Sequence, residues 1–128
     1  MKYYIEKKTS YSFDEAIQKV TEELKKEGFG VLTEINIHEK LKEKMDVDFR
    51  KYRILGACNP PAAYKALQAE DKIGTMLPCN VIVQQLNESE VEVAAVNPIA
   101  SMMAVENENL GAIASDITER LERVIAAV

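Results

Sequence analysis

The spacing of apolar residues changes repeatedly along the chain, and each change predicts an element. Residues 2 to 8 alternate polar and apolar side chains, the period of two expected of a short strand. Ser12-Phe13-Asp14-Glu15 then forms a capping box, in which Ser12 and Glu15 satisfy each other's ends of a helix N-terminus. Phe13, Ala16, Ile17, Val20 and Leu24 follow at helical spacing, with the i,i+4 pairs Glu15/Lys19 and Glu22/Lys26 on the polar side. Gly28 stands where a helix commonly ends in a left-handed residue. Phe29, Val31, Thr33, Ile35 and Ile37 return to a period of two and predict a strand with one buried face. From Ile37 the period becomes four through Leu41 and Met45, which predicts a short surface helix whose Lys and Glu residues nearly cancel.

The apolar run Tyr52 to Cys58 predicts a buried strand ending at Asn59-Pro60-Pro61. There Asn59 suits an N-cap and Pro60 the first helical position, and Ala63, Tyr64 and Leu67 give the helix a narrow apolar face. Gly74 and Pro78 bracket a turn. Asn80 to Leu86 and Val91 to Val96 then read as strands joined by a hairpin at Asn87-Glu88-Ser89-Glu90. Asn97-Pro98 repeats the cap-plus-proline start before a stripe of Ile99, Met102 and Met103, which reads as core or subunit contact. Leu110, Ile113, Ile117, Leu121, Val124 and Val128 define a terminal amphipathic helix. This order predicts an α+β fold. It has two layers, with a mostly antiparallel sheet of about five strands, two long helices on one face and short inserted helices. With 128 residues, 47% of them hydrophobic, and no linker or repeat, a single domain over 1–128 is expected.

Charge narrows the function classes. There are 16 Lys plus Arg against 21 Asp plus Glu, a net −5, which argues against nucleic-acid binding because that binding is driven by basic residues neutralising phosphates. The imbalance is local: residues 1 to 53 carry 12 basic and 11 acidic groups, residues 54 to 128 carry 4 and 10. Arg50, Lys51 and Arg53 form the one tight basic cluster, open to a shared anion or to the commoner role of blunting a strand edge. No segment approaches the ~20 apolar residues of a membrane span, and the N-terminal residues lack a signal-peptide core, so a cytoplasmic protein without membrane contact is expected.

The candidate chemistry centres on two echoing segments, Gly56-Ala57-Cys58-Asn59-Pro60-Pro61 and Leu77-Pro78-Cys79-Asn80. Each puts a thiol and an amide at an element junction, where side chains and backbone groups can converge on a ligand. Cys58 precedes a capped helix, whose N-terminus favours thiolate, yet a cysteine in an apolar strand is ordinarily an inert core residue. A metal site is not expected, because two cysteines and His38 do not show zinc-ligand spacing. CxxC and P-loop motifs are absent. His38 sits among charged residues and reads as a bystander to catalysis.

Gly28-Phe29-Gly30-Val31-Leu32-Thr33-Glu34-Ile35, Tyr52-Arg53-Ile54-Leu55-Gly56-Ala57-Cys58-Asn59-Pro60 and Leu77-Pro78-Cys79-Asn80-Val81 together resemble the family of domain of unknown function 302. The resemblance extends over nearly the whole chain. It implies a β-α-β4-α fold like that of TATA-box-binding protein, assembled as a homodimer, and no established reaction or cofactor. The function expected is a non-enzymatic homodimeric binding module for a small molecule or protein partner. Cys58, Asn59, Pro60, Cys79, Asn80 and Arg53 are its candidate ligand-binding residues. The alternative is thiol-based redox or sulfur handling by Cys58 and Cys79.

Overall fold

A computed structural model describes residues 1–128. In it the chain forms β1 (Tyr4–Thr9), α1 (Phe13–Lys26), β2 (Gly30–Asn36), α2 (Ile37–Met45), β3 (Tyr52–Cys58), α3 (Pro60–Ala69), β4 (Cys79–Asn87), β5 (Glu90–Val96), α4 (Pro98–Ser101) and α5 (Gly111–Ala127). Short 3₁₀ turns at Asp71–Met76 and Glu108–Leu110 complete it. The sheet runs β1-β5-β4-β3-β2 and every pairing is antiparallel. α1 and α5 pack on each other and on the sheet. The architecture is the α+β arrangement that the hydrophobic spacing predicts.

Local chemistry starts most helices where expected. Ser12 Oγ accepts the Glu15 N–H and Glu15 Oε1 accepts the Ser12 N–H, both at 3.1 Å. Asn59 Oδ1 accepts the Ala62 N–H at 3.1 Å, and Asn97 Oδ1 accepts those of Ile99 and Ala100. α4 breaks the expected stripe, because it ends at Ser101: Met102 is half-buried while Met103 is exposed. The stretch between Gly74 and Pro78 contains the end of a 3₁₀ turn rather than a bare loop, and Leu77–Pro78 is a cis peptide.

The core lies between sheet and helices. Val20 and Leu24 of α1, Leu121, Val124 and Ile125 of α5, and Leu55, Val81 and Val93 of the sheet are all almost wholly buried. Each such side chain contributes roughly 1.5–3 kcal/mol by leaving water. Alternation along β3, β4 and β5 turns Tyr52, Ile54, Ile82, Gln84, Glu92 and Ala94 to the opposite face.

β2 departs from its expected single buried face. Val31 pairs with Ala57 and Thr33 with Gly56, so Leu32 is left out of the ladder in a β-bulge. One unpaired residue reverses the parity of everything after it. Val31 therefore packs towards the helices, while Ile35, paired with Ile54, lies on the opposite face and is 42% exposed.

His38 is a structural residue. Its Nδ1 accepts the Tyr52 N–H at 3.0 Å and its ring stands edge-on to Phe13 at 6.1 Å between centroids, which ties α2 to the start of β3.

A candidate binding cavity between the sheet and the inserted helix

The two Cys-Asn segments meet at one end of the sheet. Ala57 of β3 pairs with Cys79 of β4, so the end of β3 and the start of β4 lie side by side. α3 leaves β3 immediately and α5 passes near it, which leaves a half-open cavity of about 280 Å³. The space exists because the facing positions are small: Ala57 on β3, Ala62, Ala63 and Ala66 on α3, and Ala114 on α5 all line it. Larger side chains close its ends, with Phe29 from the start of β2, Leu77 and Pro78 before β4, and Ile113 and Ile117 from α5. Leu32 and Leu67 also line it and are 67% and 44% exposed, which marks an open side. The bulge is what frees Leu32 for this position, a common use of bulges beside functional sites.

A polar knot holds the α3 end of the cavity. α1 ends at Gly28, whose φ of +84° a residue with a side chain rarely adopts, and whose added Cβ would stand 3.0 Å from Asn59 Nδ2. The Glu27 carbonyl accepts from Arg120 Nη1 at 3.0 Å and from Asn59 Nδ2 at 3.5 Å. Arg123 Nη2 also pairs with the Glu27 carboxylate at 2.9 Å, and that contact holds Glu27 below the usual carboxylate range. The end of α1, the start of α3 and the middle of α5 are thus joined at one carbonyl.

The candidate residues separate clearly in space. Cys58, Asn59 and Cys79 line the cavity. Pro60 adjoins it as the first residue of α3 and is itself exposed. Asn80 is exposed and, opposite Gly56, lies on the other face of the sheet. Arg53 sits at the far end of β3, where its Nε donates to Asn36 Oδ1 at 2.7 Å. The basic cluster disperses likewise: Arg50 Nε donates to Gln84 Oε1 at 2.8 Å, and Lys51 Nζ lies 5.9 Å from the Phe13 ring centroid. These three cations do not converge on one anion, and β3 is not an edge strand, being paired on both sides.

The two thiols differ sharply. Cys79 is buried, and its burial, with a smaller contribution from the Cys58 thiol, pushes its pKa from 9.0 up to about 11. Cys58 is half-buried. Asn59 is the cavity's polar side chain, and both ends of its amide are engaged within the protein. No buried side-chain nitrogen or oxygen anywhere in the chain lacks a hydrogen-bond partner. No group of three or more His, Cys, Asp or Glu side chains is placed to hold a metal ion, and no helix is long and apolar enough to cross a membrane.

A second concavity lies on the opposite face of the sheet, lined only by strand residues and Tyr3. Tyr52, Ile82, Ala94 and Val96 give it an apolar floor. At its side Gln84 Nε2 donates to Glu92 Oε1 at 2.8 Å, while burial and the adjacent Glu6 carboxyl raise the Glu92 pKa.

Comparison with known proteins identifies the family and the fold. The family described as domain of unknown function DUF302 matches residues 5–128. The chain belongs to the DUF302 family. Among solved structures, the DUF302 chain is similar to that in "Crystal structure of uncharacterized conserved protein DUF302 from Bacillus stearothermophilus". The two are 32% identical with a TM-score of 0.90, over 98% of this chain and 97% of that one. No curated protein matches the chain.

The Cys-Asn echo in the sequence led to the cavity, but not to most of its wall. Ala62, Ala66 and Ala114 carry no motif. The available signal was the run of small residues in Pro60-Pro61-Ala62-Ala63-Tyr64-Lys65-Ala66, a helix too lightly furnished to fill the space beside it.

Proposed function

We propose that this DUF302 protein is a non-enzymatic binding module that takes a small molecule in the cavity beside Cys58 and Cys79, and that it works as a homodimer. One observation carries the reading: an open cavity of about 280 Å³ at the end of the sheet, walled by the residues where the two Cys-Asn segments converge. Size and apolar lining agree with small-molecule sites generally, at the low end of their range. The absence of a paired nucleophile and base among the lining residues favours binding over catalysis. The dimer reading rests on the opposite sheet face, where Tyr52, Ile82, Ala94 and Val96 form an apolar concavity that a second copy would cover.

Native mass spectrometry of protein purified from its own host tests both parts. The expected result is a two-subunit species that sheds a small molecule on activation. Subunits without bound molecules at every gentle setting contradict the first part, and a monomer at micromolar concentration by sedimentation contradicts the second.

A thiol-based role is the second reading, favoured by the presence of both cysteines on one cavity wall. Against it stands the Cys79 thiol, held protonated by burial at neutral pH, since thiolate is the attacking species.

A further inference from the structure

The wall of the cavity limits what can occupy it. None of its lining residues carries a charge, and most of them are hydrophobic. Its amide, Asn59, accepts the Ala62 N–H at Oδ1 and donates from Nδ2 to the Glu27 carbonyl at 3.5 Å, so each end of the one polar side chain already has a partner inside the protein. No buried side-chain nitrogen or oxygen of the wall is left without a hydrogen-bond partner. A charged group entering here would lose much of its hydration without meeting an opposite charge, a cost of several kcal/mol.

Capacity sets the size. An apolar cavity of about 150 Å³ lined by aliphatic and aromatic side chains stays dry and binds benzene. By proportion, the cavity of about 280 Å³ accommodates about ten non-hydrogen atoms. The open side is flanked by the exposed side chains of Leu32 and Leu67, which extend the apolar surface outward and present no charge.

We infer that the cavity takes an uncharged, hydrocarbon-like molecule of about ten non-hydrogen atoms, a bicyclic aromatic or short alkyl body, and discriminates against charged molecules of the same shape. This rests on the binding reading above and adds the chemical class of the ligand. The half-buried Cys58 thiol on the wall serves as a reporter of occupancy, because a bound molecule covers it while the buried Cys79 stays slow to react in either state.

The test uses one ring system with three charges: naphthalene, 1-naphthoate and 1-naphthylmethylammonium, with 1-naphthylmethanol as the uncharged compound matching the charged pair in size. Binding is followed by calorimetry and by the rate of Cys58 alkylation with iodoacetamide. Naphthalene is expected to bind saturably and slow alkylation at least tenfold, with both charged analogues at least tenfold weaker. Ala63→Phe, at a half-buried position on the wall, is expected to abolish the protection. If that variant does not fold, Leu32→Asp at the exposed rim is expected to weaken naphthalene binding several-fold. A charged analogue that binds as tightly as naphthalene overturns the ligand class and leaves the binding reading standing. Binding that leaves the Cys58 rate unchanged, or no binding by any of the four compounds, overturns both.

Discussion

Cys58-Asn59 and Cys79-Asn80 are the same dipeptide at two ends of neighbouring strands, and they have opposite fates. Cys58 and Asn59 close β3, so Asn59 is free to leave the sheet, cap α3 and hold the Glu27 carbonyl. Cys79 and Asn80 open β4, where the pleat must point successive side chains to opposite faces. Cys79 goes under the helices and Asn80 to the open face. A dipeptide leaving a strand builds the cavity from both of its residues, whereas the same dipeptide inside a strand contributes one. The difference is strand parity, not residue chemistry.

Five substitutions, one of them the control for a titration, sharpen this contrast. Cys79→Asp places a carboxylate in the core and should cost at least about 3 kcal/mol in chemical denaturation. Cys58→Asp, half-exposed, should cost well under half as much, and equal losses would break the distinction.

The titration of Cys79 comes next. Its folded pKa of about 11 lies above its ordinary value of 9.0, so the folded chain holds this proton more tightly than the unfolded one. The resulting stability is complete below pH 9, declines as pH rises from 9 to 11, and amounts to about 3 kcal/mol at 1.36 kcal/mol per pH unit. Comparing denaturation midpoints at pH 8 and pH 11 for the wild type and Cys79→Ala isolates it. The wild type should lose more than the variant, and parallel losses would show that the thiol is not the buried group described.

The smallest effects belong to the asparagines. Asn59→Ala removes the α3 cap and should cost about 1 kcal/mol, with a lowered melting temperature. Asn80→Ala, at an exposed site, should stay within about 0.5 kcal/mol of the wild type.

Much of the fold was legible because its signals are local. The Ser12/Glu15 box and the Asn59-Pro60 and Asn97-Pro98 starts satisfy backbone groups within four residues, so sequence neighbours suffice to recognise them. The β2 bulge was not legible, because Val31 and Ile35 keep their alternating spacing in sequence while an unpaired Leu32 turns them to opposite faces. The position of Arg53 away from the cavity was likewise not legible: its strand was right, but its distance from the cavity depends on which end of β3 meets α3. Of the five alanines, Ala63 was read as part of a narrow apolar face and Ala57 as part of a buried strand, while Ala62, Ala66 and Ala114 gave no signal. What matters in them is the volume they leave empty, which depends on the elements packed opposite.

The two faces of the sheet offer an apolar molecule different places: the half-open cavity beside Cys79, and the floor of Tyr52 and Ile82, which a second copy would cover in the proposed dimer. Diffraction from crystals soaked in 1-bromonaphthalene separates them, since the bromine marks its own position by anomalous scattering. The predicted result is a single bromine site between Ala66, Ala114 and Cys79. A bromine found only over Tyr52 and Ile82, or no ordered bromine at all, would contradict the assignment of ligand binding to the cavity.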